Sequence, residues 1–113
     1  MLVWNVDGVY ATVDGCRYNK LNTPLAQAAL QGACLVGLAE LKLKASEAIS
    51  PMEGFVLLHQ VTHPRAQSGG LAVLARAPYA DQFKVVDSSG ADGYVVVKCP
   101  GGLQVVFVYF APE

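Results

Sequence analysis

"ACLVGLAEL", Ala33 to Leu41, is an apolar run broken by Gly37 and closed by Glu40. Its length favours a buried strand over a helix. A helix signal stands directly before it. Thr23 is a good N-cap, Pro24 suits the first helical position, and Gly32 is a natural stop after "PLAQAALQG". Before that helix, "LVWNV", Leu2 to Val6, reads as a second buried strand that turns at Asp7-Gly8. Strand, helix, strand makes a parallel pair with a right-handed crossover the default arrangement.

Working outward, "ATVDGCRYNKLN" reads as a polar connection with a turn at Asp14-Gly15. Lys42 to Pro51 reads as a loop or one short helical turn. "GFVLLHQ" (Gly54 to Gln60), "GLAVLA" (Gly70 to Ala75), "QFKVVD", "YVVVK" and "LQVVFVY" then read as strands joined by short turns, and so as mostly antiparallel neighbours. One helix cannot cover both faces of such a sheet.

The composition sets limits. The chain has 113 residues, 53% hydrophobic and 15% charged. That is more apolar than an ordinary domain, so part of the covering surface is expected to lie outside this chain. With the ending "YFAPE" directly after an apolar strand, the expectation is a partial domain over residues 1–113. A net charge of −1 gives no bulk attraction to nucleic acid or anionic membrane. Cys16, Cys34 and Cys99 match no metal spacing or disulfide framework and read as reduced thiols of an intracellular protein. No signal peptide is expected, and no apolar run is long enough to span a membrane.

The chemistry-bearing residues gather at strand ends. Asn5 and Asp7 are two apart and share one face of an extended segment. Glu40 closes the second strand and Tyr109 the last. If the first two strands are parallel, Asn5, Asp7 and Glu40 meet at one sheet edge, where ligands gather in sheets of this kind. Two carboxylates and an amide oxygen suit a hard cation such as Mg²⁺. Each residue also has a plain reading. Asp7-Gly8 is a common turn, Glu40 and Lys42 are ordinary solvated side chains, and Tyr109 is a half-buried strand tyrosine. His59 and His63 do not form a zinc pair, because Pro64 and the strand pattern oppose a helix there. Arg65 could touch a nucleic-acid backbone.

Taken in order, "WNVDG", "LAELK", "SGGLAVLAR" and "VFVYFAP" resemble the endonuclease/exonuclease/phosphatase superfamily. The likeness is strongest to its AP endonuclease and exonuclease III branch and to the endonuclease domains of non-LTR retrotransposons. It covers nearly the whole chain but only the N-terminal half of that family's domain. The chain departs from the pattern at Ala39 and Leu41, where the family has Gln and Thr around the Glu. At the end, Pro112 is displaced by one residue and Glu113 stands for Asn, so either Tyr109 or Phe110 takes the phosphate-contacting position.

The resemblance implies an α/β fold, the first half of a four-layer α/β sandwich with a mixed, largely antiparallel sheet and one clear helix. It implies the N-terminal part of a Mg²⁺-dependent phosphodiesterase, Mn²⁺ being a substitute, that hydrolyses DNA; with the intracellular reading of the cysteines, the nucleus is one place it would work. Asn5, Asp7 and Glu40 would hold the metal directly or through water, Lys42 would lie beside the substrate, and Tyr109 would bind the scissile phosphate. The family's Asp-x-Asn pair, late Asp and final His belong to the C-terminal half, and His59 and His63 lie too early to supply that His. The alternatives are a truncated or degenerate copy without chemistry, or a relative that acts on a phospholipid or nucleotide phosphoester.

Overall fold

The computed structural model of the chain describes residues 1–43, 47–50, 53–64 and 69–109. Among these, the strands are β1 (Leu2–Asn5), β2 (Tyr10–Val13), β3 (Cys16–Asn19), β4 (Leu35–Ala39), β5 (Phe55–Val61), β6 (Leu71–Arg76), β7 (Lys84–Ser89), β8 (Tyr94–Lys98) and β9 (Gln104–Val108). The α-helix α1 spans Pro24–Leu30, and short 3-10 turns lie at Lys20–Asn22, Ala77–Gln82 and Pro100–Gly102.

A four-stranded sheet runs in the order β1-β4-β6-β5. β1 and β4 are parallel, and β6 is antiparallel to both β4 and β5. The two central strands are buried along almost their whole length. Their side chains alternate between two cores, as a period of two requires. Val36, Leu38, Ala72 and Leu74 enter one core with Val6, Val9, Leu21, Leu30 and Ile49. Leu35, Ala39, Leu71, Val73 and Ala75 enter the other with Val95, Val97 and Phe107. The first face is therefore covered by α1, the 3-10 turn at Leu21 and the loop after β4. The second is covered by an antiparallel sheet in the order β7-β8-β9. His59 Nε2 and Ser88 Oγ, 2.8 Å apart, tie β5 to β7 across the seam.

This corrects the expected α/β fold. The chain is mostly β and is not the first half of a four-layer α/β sandwich. Two physical reasons account for the difference. The second face of the central sheet is closed by the β7-β8-β9 sheet, and on the first face the seven-residue α1 is too little helix to form a helical layer. The stretch after β1 is also no simple connection. β2 and β3 pair as a hairpin across Asp14-Gly15, which adopt φ of 50° and 78°. Positive φ at both central positions is the type I′ geometry that Asp-Gly favours.

The helix start is as expected: Thr23 Oγ1 accepts the Ala26 N–H at 3.2 Å. Its end is not set by Gly32. The helix stops at Leu30, and the Arg76 guanidinium on β6 takes over the last carbonyls. It donates to Leu30 O at 3.2 Å, to Ala33 O at 3.1 Å, and to Gln31 O. The same guanidinium lies over the Phe55 ring, 4.8 Å from its centre. A cation at a helix C-terminus also complements the helix dipole.

At Gly37 the β4 backbone comes close against the Phe107 ring of the second sheet. A Cβ there would lie 2.3 Å from Phe107 Cδ1 and 2.5 Å from Cε1. The Phe107 ring thus occupies the space that any side chain on β4 would need. Gly37→Ala is expected to lower stability by about 1–3 kcal/mol through overpacking. Urea unfolding of the two proteins checks this, and an unchanged midpoint would mean that the sheets slide apart without cost.

Candidate functional site

The carboxyl ends of β1 and β4 lie side by side. The parallel ladder continues past both strands: Val6 N–H donates to Ala39 O at 3.0 Å, Gly8 N–H to Glu40 O at 2.7 Å, and Val9 N–H to Leu41 O at 3.1 Å. On the other side, Lys42 N–H donates to Gly69 O at 3.0 Å. The segments after β1, after β4 and before β6 are therefore bonded edge to edge. Gly70 makes this approach possible. Its φ is 105°, and a Cβ there would lie 3.3 Å from both Leu41 Cβ and Val61 O.

The side chains converge on the Lys42 ammonium. Lys42 Nζ lies 2.5 Å from Asp7 Oδ1 and 3.8 Å from Glu40 Oε1. The hydrogen bond and charge of Lys42 hold the Asp7 carboxyl below its ordinary range, with a smaller contribution from Lys20. The Asp7 bond in turn raises the Lys42 ammonium, and Glu40 adds to this. Tyr109, half-buried, joins the same group. Burial raises its phenol, and the neighbouring Glu40 carboxylate raises it further. The Tyr109 hydroxyl therefore stays protonated across neutral pH and remains a hydrogen-bond donor.

The backbone marks the same place. Four non-glycine residues among those described have φ in the left-handed region. One is Asp14 of the hairpin. The other three are Asp7 (49°), Glu40 (60°) and Lys42 (54°). Such conformations cost free energy and persist where the surroundings over-determine them, as they do at binding sites.

Asp7, Glu40, Lys42 and Tyr109 are thus brought together. Asn5 has a different place. Its Oδ1 accepts the Asp7 N–H at 3.1 Å, so its amide fixes the turn that carries Asp7. Lys20, which the sequence reading passed over, and His63, which it set aside as a zinc ligand and as the final His, also belong here. Lys20 Nζ donates to the Val6 and Asp7 carbonyls, both at 2.9 Å. A Cβ on Gly69 would lie 3.4 Å from His63 Cβ and 3.6 Å from Tyr109 Cε1, so His63 flanks the glycine that Tyr109 approaches. The position of Lys20 just before the helix start was the signal available. Arg65, Phe110, Pro112 and Glu113 lie outside the described residues.

Among the described residues, no three or more His, Cys, Asp or Glu side chains gather as a metal-holding group. No described helix is long and apolar enough to cross a membrane. Comparison with protein-family models, with curated proteins and with solved structures gave no match.

The electrostatics can be checked directly. Lys42→Met removes the largest cause of the Asp7 shift, so the Asp7 carboxyl is expected to titrate higher, at its ordinary range. Because the folded-state value is the lowered one, the contribution of the ion pair is present at neutral pH and is lost as pH falls through the Asp7 transition. Carboxyl carbon NMR titration of the two proteins reads the shift. An Asp7 transition at the same pH in both would show that Lys42 does not set it.

Proposed function

We propose that this chain supplies the metal and phosphate side of a Mg²⁺-dependent phosphodiesterase that acts on DNA. The observation that carries this reading is the convergence of Asp7 and Glu40 on one ammonium at adjoining strand ends, with the Tyr109 phenol beside them. The donor chemistry fits the ion. Two carboxylates that already share a cation offer the hard oxygens that Mg²⁺ or Mn²⁺ takes. Asp7 and Glu40 would hold it, with Asn5 fixing the Asp7 turn. When bound, the ion supplies charge neutralisation and polarisation of a phosphoryl oxygen.

The chain's own residues have separate tasks in this reading. Lys42 carries the positive charge that meets a phosphate oxygen. Tyr109, a protonated phenol at neutral pH, donates to the scissile phosphate. The left-handed turns at Asp7, Glu40 and Lys42 fix the three side chains relative to one another, so little ordering remains when a ligand arrives. The Trp4–Gly8 stretch, which resembles the DNA-acting branch, with Lys42 nearby, supports DNA as the substrate class.

A second reading rests on the Lys42 contacts. Lys42 already pairs with Asp7 and lies 3.8 Å from Glu40, which favours a non-catalytic copy whose site is occupied by its own ion pairs. Nicking of supercoiled and abasic-site DNA in Mg²⁺ separates the two. The first reading expects Mg²⁺-dependent nicking that falls roughly 10²-fold in Glu40→Ala. Activity on a nucleotide or phospholipid diester in place of DNA would change the substrate but keep the site. Absence of all three activities, with no Mg²⁺-dependent rise in stability, would leave the second.

A further inference from the structure

The Asp7 turn is held from outside the central sheet. Lys20 opens the 3-10 turn that follows the β2–β3 hairpin, and its position is fixed at both ends. Its backbone N–H donates to Val9 O at 2.9 Å, and its Nζ donates to Val6 O and Asp7 O. Next to it, Leu21 is fully buried and its N–H is capped by Asn19 Oδ1 at 2.8 Å. Thr23 Oγ1 donates to Lys20 O at 2.9 Å. The lysine stem lines an apolar groove of about 470 Å³ with Leu2, Trp4, Tyr18 and Ala26.

Asp7 itself is exposed and left-handed, so its own packing does not hold it. The bonds that hold it are the Asn5 amide on its N–H, the Gly8 N–H on Glu40 O, the Lys42 ammonium on its carboxylate, and the two carbonyls taken by Lys20. The first acts within the turn, and the second and third join it to the segment after β4. Lys20 ties it to the part of the cover between the β2–β3 hairpin and α1. We propose that Lys20 is a positioning residue of the site: by binding the Val6 and Asp7 carbonyls, it holds Asp7 in the left-handed turn that aims its carboxylate at Lys42 and Glu40. Its consequence for ion binding rests on the phosphodiesterase reading. Its consequence for the turn does not.

The test uses the full chain with Lys20→Met, which keeps the stem and removes the donors, and Lys20→Arg, which keeps donors and charge. Two quantities are measured: amide hydrogen exchange at Gly8, and Mn²⁺ affinity by electron paramagnetic resonance. Lys20→Met is expected to speed Gly8 exchange and to weaken Mn²⁺ binding about tenfold, the usual scale for a residue that orients a ligand. The urea midpoint should stay near that of the parent, and Lys20→Arg should restore both quantities. Should Lys20→Met not fold, Lys20→Leu, which also lacks a donor, carries the same comparison. Parental Gly8 exchange in the Met or Leu variant overturns the inference. So does a change that merely tracks a lowered urea midpoint, or one that Arg does not restore. If the parent chain binds no Mn²⁺ while Gly8 exchange still responds to Lys20, the ion-site reading fails and the positioning role of Lys20 stands.

Discussion

The burial of β4 and β6 on both faces is the constraint from which the rest follows. Each strand sends alternate side chains into two cores. A sheet buried in this way must be covered twice, and each cover is made by a different kind of element. The segment between β1 and β4 supplies one, and β7 to β9 supply the other. The apolar excess of the composition is used here, since few positions on the central strands face water.

The site is a by-product of the same geometry. Because β1 and β4 are parallel, their ends point the same way and their following segments emerge together. The ladder that holds the strands continues into those segments through Gly8, Glu40 and Leu41. A backbone forced to continue pairing while it turns adopts left-handed conformations, and the residues that adopt them carry the charges. The strain and the chemistry therefore occur at the same three residues, Asp7, Glu40 and Lys42. Exposed ion pairs contribute little to folding. The contacts of Lys42 are better understood as setting the charge state of the site than as holding the fold.

The cover on the first face has a second consequence. Lys20 and Arg76 both leave their own element to bond backbone carbonyls of another. Arg76 closes the end of α1, and Lys20 closes the turn after β1. In each case a long cationic side chain donates to backbone carbonyls at the end of another element. Layers of this chain are joined by such side chains as well as by apolar contact.

The sequence by itself determined the local elements and the strand ends. Apolar runs placed β1, β4, β5, β6, β8 and β9 within a residue or two, because buried strands need unbroken apolar stretches. Thr23-Pro24 placed the helix start, because capping is decided by adjacent residues. Asn5, Asp7, Glu40, Lys42 and Tyr109 were legible as polar residues closing such runs. The hairpin at Asp14-Gly15 was also written in its turn residues, but its strands carry too little apolar alternation to announce themselves. Only the tertiary structure decided what covers the second face, and so overturned the α/β expectation. It also decided that Asn5 serves the turn, that Lys20 reaches the Asp7 loop, and that His63 flanks Gly69. These depend on pairings between residues far apart in the chain, and pairing is set by which faces bury together, a quantity that no single stretch of sequence contains.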